Sequence, residues 1–388
     1  MNSHEHASDC PYYEQLMYVG DTRLQVLIQY VTSRDDRLLK YCIDLFNWSR
    51  VRGVTGLTTS RYPDSCTQWI PPFSLIWIWM VHDYFYWRNN ADFVKKQLIG
   101  TRSVLNAFSV FLNKDHLLEK IPEWPFVDWT SAWDTGYPPG AQDGISTILN
   151  LMYLLTLEKA VELETALGDP LIAATYQCRR ERTAKALLQH FWSPERNMIA
   201  DDGSFTQFSE HAQTLLLLSG SFDPGVKEMV LHALVHEQDL TRASIYFSFY
   251  LFEALFKMNA GDTILERFEA WNQLWAQGFK TPPENFRNTR SDCHAWASHP
   301  LYHLHASVLG IQPATAGFRS VVIRPQDIGW KKISGQTVHP NGLIETELHF
   351  HGAILEGKIT LPGVGGCLEW RGKKTSLIPG VNQFYLTV

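Results

Sequence analysis

The stretch Gly310-Ile311-Gln312-Pro313 separates two parts of the chain that have different hydrophobic periods. Before it, apolar residues recur at i, i+3, i+4 and i+7, the spacing of a buried helix face, as in Leu24, Leu27, Ile28 and Val31. After it, runs such as Leu343 to His351 alternate with a period of two, as strands do. The sequence therefore predicts a helical domain over residues 1–311 and an antiparallel β-sandwich domain over residues 312–388.

The helical part divides into about eleven periodic segments. The longest runs from about Asp143 to Leu167, and short links rich in Gly, Pro and Asn separate neighbouring segments, as in antiparallel helical hairpins. A closed ring of paired helices contains an even number of helices, so eleven segments leave one helix without its partner. Because carboxylates and tyrosines already begin at Asp9, we expect the missing helix to be the first one. The predicted fold class is mainly α, a helical toroid followed by the β-sandwich.

Composition and charge exclude several classes of function. The net charge of -6 and the absence of Lys/Arg clusters argue against nucleic acid as a partner. The apolar stretch from Phe73 to Val81 is too short to span a membrane, and the first residues lack a signal peptide's apolar segment. Six scattered cysteines are typical of free thiols in a reducing compartment, so we expect a cytoplasmic protein. Aromatic residues make up 13% of the chain, which suits stacking on sugar rings.

The first candidate site is the segment from Asp9 to Asp21. It holds the three carboxylates Asp9, Glu14 and Asp21, interleaved with tyrosines that include Tyr18. A glycosidase needs one protonated carboxyl beside the leaving oxygen and a second carboxylate that activates water. Packing against tyrosines raises the pKa of such a carboxyl. The alternative is that Asp21 only caps the next helix and that Glu14 is a solvated surface residue.

The second candidate segment contains Asp128, Trp129 and Trp133 in a loop that precedes a helix. Aromatic side chains in an exposed loop favour a binding role. The alternative is an aromatic cluster that only seals the entry to the helix.

The third candidate segment begins with Glu284 in a loop and continues with Asp292, His294 and Trp296. The alternative is that Ser291 or Asp292 is only the N-cap of the next helix and that Arg290 pairs locally. No metal is expected, because no HExxH or comparable spacing accompanies the histidine. Carboxylates and aromatic residues in three separated loops of a helical array predict one sugar pocket at an end of the toroid.

Together these segments resemble the α-L-rhamnosidases of glycoside hydrolase family 78, whose catalytic domain is an (α/α)6 barrel of six helical hairpins. The resemblance rests on Asp9-Cys10-Pro11 with Glu14 and Gly20-Asp21. Phe126-Val127-Asp128-Trp129, the stretch from Ser291 to Trp296 and the closing β-domain support it, and it covers essentially the whole chain. It implies an inverting hydrolase that removes terminal α-L-rhamnose from rhamnosides and requires neither a metal nor a cofactor.

The same resemblance implies roles for individual residues. Glu14 matches the general acid and Glu284 the general base, with Asp292 as the rival for the base. Asp9 and Asp21 match carboxylates that hold the sugar hydroxyls, Tyr18 a stacking position and His294 a sugar-contacting histidine. The remaining expected substrate-binding residues are Asp128, Trp129, Trp133, Asp292 and Trp296.

An inverting mechanism adds a geometric expectation. Because a water must fit beside the base, the carboxyl groups of Glu14 and Glu284 are expected roughly 6.5–9.5 Å apart. Burial and neighbouring carboxylates are expected to raise the pKa of Glu14, whereas Arg287 and Arg290 are expected to keep Glu284 ionised.

One departure from the family leaves alternatives open. Family members usually carry β-domains before the barrel, and this chain lacks them. A missing first helix predicts an apolar flank that an oligomer partner or a neighbouring chain covers. The alternatives are a catalytically weak or inactive carbohydrate-binding homologue and another helical-toroid sugar enzyme, such as an unsaturated uronyl hydrolase. A phosphorylase needs a more cationic pocket than Arg287 and Arg290 provide.

Overall fold

Residues 6–50, 56–287 and 289–387 are described by a computed structural model. Met1 to Glu5, part of the start that bears on a signal peptide, lie outside these residues. Ten of the expected helices are confirmed as α1 (Val19–Thr32), α2 (Arg37–Ser49), α3 (Pro71–Trp87), α4 (Ala91–Ser109), α5 (Thr147–Leu167), α6 (Pro170–Phe191), α7 (Glu210–Leu218), α8 (Pro224–His236), α9 (Ser248–Lys257) and α10 (Asp262–Ala276). The eleventh is reduced to the short α11 (Pro300–His303).

The odd-numbered helices form an inner ring. In chain order, α1 packs on α3, α3 on α5, α5 on α7, α7 on α9 and α9 on α11, and α11 returns to α1. Their sequences explain this position, because α3 and α5 are apolar on nearly all sides and such helices belong in a core. The segment Val19 to Val31 of α1 is likewise buried at every residue.

The even-numbered helices form an outer layer. Each packs on an inner helix and leaves one face exposed, as the amphipathic patterns of α2 and α4 predict. The described residues thus supply five outer helices for six inner segments, which fits a toroid of helical hairpins that lacks one outer helix.

The last inner segment differs from the continuous helix expected over 293–309. It consists of a 3-10 turn at Ala295–Ser298, then α11, then a π turn at Leu304–Val308. Pro300 explains the break, because proline has no N–H to continue the preceding turn but suits the first position of a helix.

The expected change from helix to strand near Pro313 is confirmed. The strands are β1 (Met17–Tyr18), β2 (Arg61–Tyr62), β3 (Trp192–Ser193), β4 (Met198–Ile199), β5 (Ile311–Pro313), β6 (Val321–Ile323), β7 (Lys332–His339), β8 (Gly342–His351), β9 (Ile354–Leu361), β10 (Gly366–Trp370), β11 (Lys373–Leu377) and β12 (Gly380–Thr387). The last eight form two sheets, ordered β11-β10-β6-β5 and β12-β9-β8-β7. Neighbouring strands are antiparallel, as expected, except that β6 and β10 pair in parallel.

The flank of α1 does not show the exposed apolar surface expected from a missing helix. Strand β7 of the C-terminal domain packs against α1. Because Val19 to Val31 are buried within the chain itself, α1 needs no second chain to cover it.

Two further expectations concern the environment of the chain. All six cysteines are free, as their spacing predicted. Among the helices of the described ranges, none combines the length and the apolar content that a membrane span requires.

Candidate functional site

A cavity of about 100 Å³ lies where α1 and α3 begin. Its lining includes Tyr18 and Asp21 from the start of α1, and Ile70 and Phe73 from the start of α3. Eight of the residues predicted from the sequence line this one cavity: Asp9, Glu14, Tyr18, Asp21, Trp129, Glu284, His294 and Trp296.

Hydrogen bonds hold Asp9 within its own segment and also to the third candidate segment. The Asp9 N–H donates to the carbonyl of Leu16 (2.9 Å), and the Leu16 N–H donates to Oδ1 of Asp9 (3.0 Å). The N–H of Ala295 donates to the Asp9 carbonyl (2.8 Å). The bond from Ala295 fixes the first candidate segment to the third, although the two lie near opposite ends of the helical part of the chain.

Glu284 is held in an equally defined loop. Its N–H donates to the Ser291 carbonyl (2.9 Å), and its own carbonyl accepts from Nε1 of Trp296 (3.0 Å). The His294 N–H donates to the Pro282 carbonyl (2.9 Å), which closes the same loop. The backbone therefore places the Glu284 carboxylate at the cavity, where its side chain is 12% exposed.

Arg290 lies between the two candidate catalytic carboxylates. Its Nη2 donates to Oε1 of Glu14, and its Nε lies 3.8 Å from Oε2 of Glu284. The guanidinium also stacks on the ring of Tyr13, with 4.7 Å to the ring centre. Arg290 therefore pairs beyond its own segment as well as within it, which the alternative of a purely local pair does not account for.

Arg290 also reverses the pKa expected for Glu14. Burial alone raises the pKa of this carboxyl, but the hydrogen bond from Arg290 and a second from Sγ of Cys10 (3.2 Å) outweigh burial and lower it. The expectation of a raised pKa at Glu14 is contradicted.

Asp9 is the carboxyl with the raised pKa. Burial, and then the nearby charge of Asp21, raise the pKa of Asp9 to about 7. Asp9 also contacts Glu14, and this contact contributes to the lowered pKa of Glu14. Near neutral pH, the proton in this group of carboxyls is therefore held on Asp9 rather than on Glu14.

Asp21 and His294 form a buried ion pair beside these carboxyls. Nε2 of His294 lies 3.1 Å from Oδ1 of Asp21, and both side chains are almost fully buried. Burial opposes the charged form of His294, but the interaction with Asp21 outweighs it and raises the pKa of the imidazole. Nδ1 of His294 has no hydrogen-bond partner within the described residues, so it is available to a ligand.

Aromatic rings form two walls of the cavity. On one side, Trp129 packs against Trp124 and Phe126, with ring centres 6.0 and 5.0 Å apart. On the other side, Trp296 packs against His294, with ring centres 4.3 Å apart. Trp129 is 37% exposed, which leaves part of its ring free to stack on a sugar.

Because Gly20 has no side chain, Phe73 and Tyr246 can pack closely against the start of α1. A Cβ at this position would lie 2.8 Å from both Cζ of Phe73 and the hydroxyl of Tyr246. Beside it, the Tyr18 hydroxyl accepts a hydrogen bond from Nη1 of Arg61 (2.9 Å), and burial raises the pKa of this tyrosine. Tyr18 is thus fixed in orientation at the cavity edge.

Asp128 does not line the cavity, although the sequence predicted that it would. Its carboxylate is fully buried and accepts from Nε2 of His211 (2.7 Å), from the Ser244 N–H (2.8 Å) and from the Ser244 hydroxyl. These bonds fasten the loop of Trp129 to α7 and to the turn before α9. The expected sugar contact of Asp128 is therefore corrected to a positioning role for its neighbour Trp129.

Trp133 and Asp292 also lie outside the cavity lining. Trp133 is 6% exposed and packs on the ring of His211, with centres 4.3 Å apart, which matches the alternative of an aromatic cluster sealing the helix entry. Asp292 is exposed, and its backbone carbonyl accepts from the Thr281 hydroxyl (2.7 Å). This position disfavours Asp292 as the rival base.

Several lining residues were not among those singled out: Ile70, Phe73, Trp124, Phe126 and Arg290. Phe126 belongs to the motif Phe126-Val127-Asp128-Trp129, and the sequence shows Arg290 only as a charge near Glu284. No sequence signal distinguished Ile70, Phe73 or Trp124 from core residues, because only the ring of helices brings them to the cavity.

One group of residues bears on the expectation that no metal binds. The ligand atoms of Asp9, Cys10 and His294 lie within 4.8 Å of one another, and all three residues are buried. The set suits a cation such as Zn²⁺, which accepts carboxylate, thiolate and imidazole ligands. The expected absence of a metal stays a prediction.

Comparison with known proteins identifies the fold. The chain is similar to the GH78 family rhamnosidase of Bacillus sp. GL1 (22% identity, TM-score 0.84, covering 94% of this chain and 39% of that one). It is also similar to the α-L-rhamnosidase of Aspergillus terreus (14%, 0.83, 98% and 47%) and to that of Streptomyces avermitilis complexed with L-rhamnose (15%, 0.80, 98% and 39%). The chain spans less than half the length of each of these three proteins.

The sequence itself matches one family model. No curated protein matched the chain. Residues 1–308 match the model described as the bacterial alpha-L-rhamnosidase 6 hairpin glycosidase domain. Since this match covers most of the chain, the protein belongs to the family of bacterial α-L-rhamnosidase six-hairpin glycosidase domains.

Proposed function

We propose that this protein is an inverting glycoside hydrolase that removes terminal α-L-rhamnose from rhamnosides. The observation that carries the proposal is the convergence of Glu14 and Glu284 on one cavity with aromatic walls. Two carboxyl groups from separate loops, facing one small cavity, are what glycoside hydrolysis requires. The similarity to rhamnosidases supports L-rhamnose as the sugar.

In this proposal Glu14 is the general acid and Glu284 the general base. Glu284 activates a water that attacks the anomeric carbon while Glu14 protonates the leaving oxygen. Asp9, Asp21 and His294 hold the sugar hydroxyls, and Tyr18, Trp129 and Trp296 pack on the ring. Asp21 and His294 suit this role because both side chains line the cavity and are almost fully buried, which lets them hold hydroxyl groups away from solvent.

The proton needed by Glu14 has a defined source in this arrangement. In the structure Glu14 is paired with Arg290, whereas Asp9 has a pKa of about 7. We infer that substrate displaces Arg290 from Glu14, and that Glu14 then takes up the proton held by Asp9. Nε of Arg290 lies 3.8 Å from Oε2 of Glu284, so the guanidinium can stay beside the base when it leaves Glu14.

A second candidate is a carbohydrate-binding protein without turnover. The ion pair between Arg290 and Glu14 favours it, because an ionised Glu14 cannot protonate a leaving group. A panel of p-nitrophenyl glycosides separates the two. The hydrolase should release nitrophenol from the α-L-rhamnoside and not from the α-L-arabinoside, the β-D-glucuronide or the α-D-mannoside. Binding of L-rhamnose without any release would select the second candidate.

A further inference from the structure

A second and larger cavity, of about 740 Å³, lies between the helical toroid and the C-terminal domain. Its helical wall includes Lys159 in α5 and Lys257 in α9, both in the C-terminal halves of those helices. Its other wall includes Arg324 and Trp370 near the strands of the C-terminal domain. Its lining residues and those of the candidate site have no member in common, so the two cavities are separate.

The lining of this cavity is cationic although the whole chain carries a net charge of -6. Three carboxylates line it, Glu253, Asp327 and Glu369. They are outnumbered by six cationic side chains: Arg23, Lys159, Lys257, Arg324, Arg371 and Lys374.

Two of the three carboxylates are already neutralised by cations of the lining. Glu369 pairs with Arg324 (2.7 Å) and with Lys374 (3.1 Å), and Asp327 pairs with Arg371 (3.3 Å). Nζ of Lys257 donates to a backbone carbonyl, that of Leu218 (2.6 Å), rather than to a carboxylate. These pairs also occupy Arg324, Arg371 and Lys374, and Asp83 occupies Arg23. Because the six cationic side chains still outnumber these carboxylates when Asp83 is counted, the cavity keeps an excess of positive charge that favours an anion.

Arg23 is a buried cation of this lining. Its side chain is 3% exposed, and its Nε pairs with Oδ2 of Asp83 (2.8 Å). Its guanidinium also lies 5.5 Å from the ring centre of Tyr250 and hydrogen-bonds to the side chain of that residue, which lines the cavity as well. An anion in the cavity would therefore meet chiefly the other cations of the lining: Lys159, Lys257, Arg324, Arg371 and Lys374.

The rest of the lining suits a hydroxylated ring. The rings of Trp79, Tyr250 and Trp370 offer apolar faces, and the amides of Asn259, Gln312 and Gln326 offer donors and acceptors. The volume lies within the usual range for small-molecule sites, roughly 300–1,000 Å³. We propose that this cavity binds a saccharide that carries a carboxylate or a phosphate group, independently of the rhamnoside site.

Binding to the purified full chain tests this proposal by calorimetry and thermal shift. The probes are D-glucuronate and D-glucose 6-phosphate, with D-glucose and inorganic phosphate as matched partial ligands. At least one of the charged sugars should bind and raise Tm, more strongly than either partial ligand. Whether glucuronate or glucose 6-phosphate binds more tightly identifies the anionic group. Binding of neither, or equally tight binding of D-glucose or of inorganic phosphate, would overturn the proposal.

Variants locate the site. The double variant Lys159→Gln/Lys257→Gln, and separately Arg371→Gln at an exposed position, should weaken binding about tenfold. The control Lys95→Gln/Lys96→Gln removes two exposed charges of α4 and should bind as the wild type does. Arg290→Gln in the rhamnoside site should also leave binding unchanged. Unchanged affinity in both cavity variants, or loss in Arg290→Gln, would place the anion elsewhere and refute the assignment.

Discussion

The guanidinium of Arg290 donates a hydrogen bond to the carboxylate of Glu14, although 276 residues separate the two in sequence. This pair determines the protonation state of Glu14 in the candidate site. It keeps the proposed general acid ionised in the free protein, so catalysis requires that the pair open when substrate enters.

The first prediction concerns the pH profile of Arg290→Gln. The hydrogen bond from Arg290 lowers the pKa of Glu14, so its removal raises that pKa. Since activity falls when the general acid loses its proton, the basic limb of kcat/KM should move to higher pH. Arg287→Gln, an exposed arginine of the same loop, serves as the matched control. A basic limb that stays in place in Arg290→Gln would contradict the role given to the pair.

The second prediction concerns stability and Asp9. Its pKa of about 7 in the folded protein exceeds the ordinary value near 3.8, so the folded state binds the proton more tightly than the unfolded state. The free energy of unfolding contributed by Asp9 is therefore lost as pH rises from about 4 to about 7. Asn at this position does not ionise and still offers an oxygen to the N–H of Leu16.

The Tm of Asp9→Asn relative to the wild type should accordingly increase between pH 4.5 and pH 8, by about 2 °C or more. Asp292→Asn, at an exposed carboxylate, provides the comparison. A Tm difference for Asp9→Asn that is the same at both pH values would show that Asp9 is not protonated in the folded protein.

The third prediction concerns Gly20. A methyl group here would lie 2.8 Å from Phe73 and from the hydroxyl of Tyr246, so Gly20→Ala should lower the free energy of unfolding by about 1–3 kcal/mol. It should also weaken rhamnose binding, because Phe73 lines the cavity. Gly225→Ala in α8 meets no atom within 4 Å and should be neutral or stabilising. Urea unfolding of both variants measures the difference, and equal stabilities would contradict the predicted clash.

The fold was more accessible from the sequence than the site was. Hydrophobic period alone located the helices and the change to strands at Ile311, because burial of α3 and α5 imposes the pattern directly. It did not show that β7 covers α1, since that contact joins two domains and leaves no periodic signal.

Site residues could be predicted from the sequence only where they belong to a local motif. Asp9, Glu14 and Asp21 stand close together in sequence, and the cavity does contain all three. The protonation of Asp9 and the ionisation of Glu14 depend on Arg290 and on burial, which are properties of the folded chain. Asp128 was misplaced for the same reason, because its partners His211 and Ser244 are distant in sequence.

The fourth prediction separates the roles of the two glutamates. Glu14→Gln should reduce turnover about 10²- to 10⁴-fold on alkyl rhamnosides, whose leaving groups need protonation, and much less on dinitrophenyl rhamnoside. Glu284→Gln should reduce both alike, because both reactions need an activated water. Equal losses on the two substrates in Glu14→Gln would remove Glu14 from the role of general acid.

The most direct test of the central claim is the anomeric configuration of the first product. Wild-type protein is mixed with p-nitrophenyl α-L-rhamnoside, and the anomeric protons are followed by NMR before mutarotation. Inverting hydrolysis by the Glu14–Glu284 pair predicts that β-L-rhamnose accumulates first and then equilibrates with the α-anomer. Release of α-L-rhamnose first would mean retention through a covalent intermediate and would contradict the account.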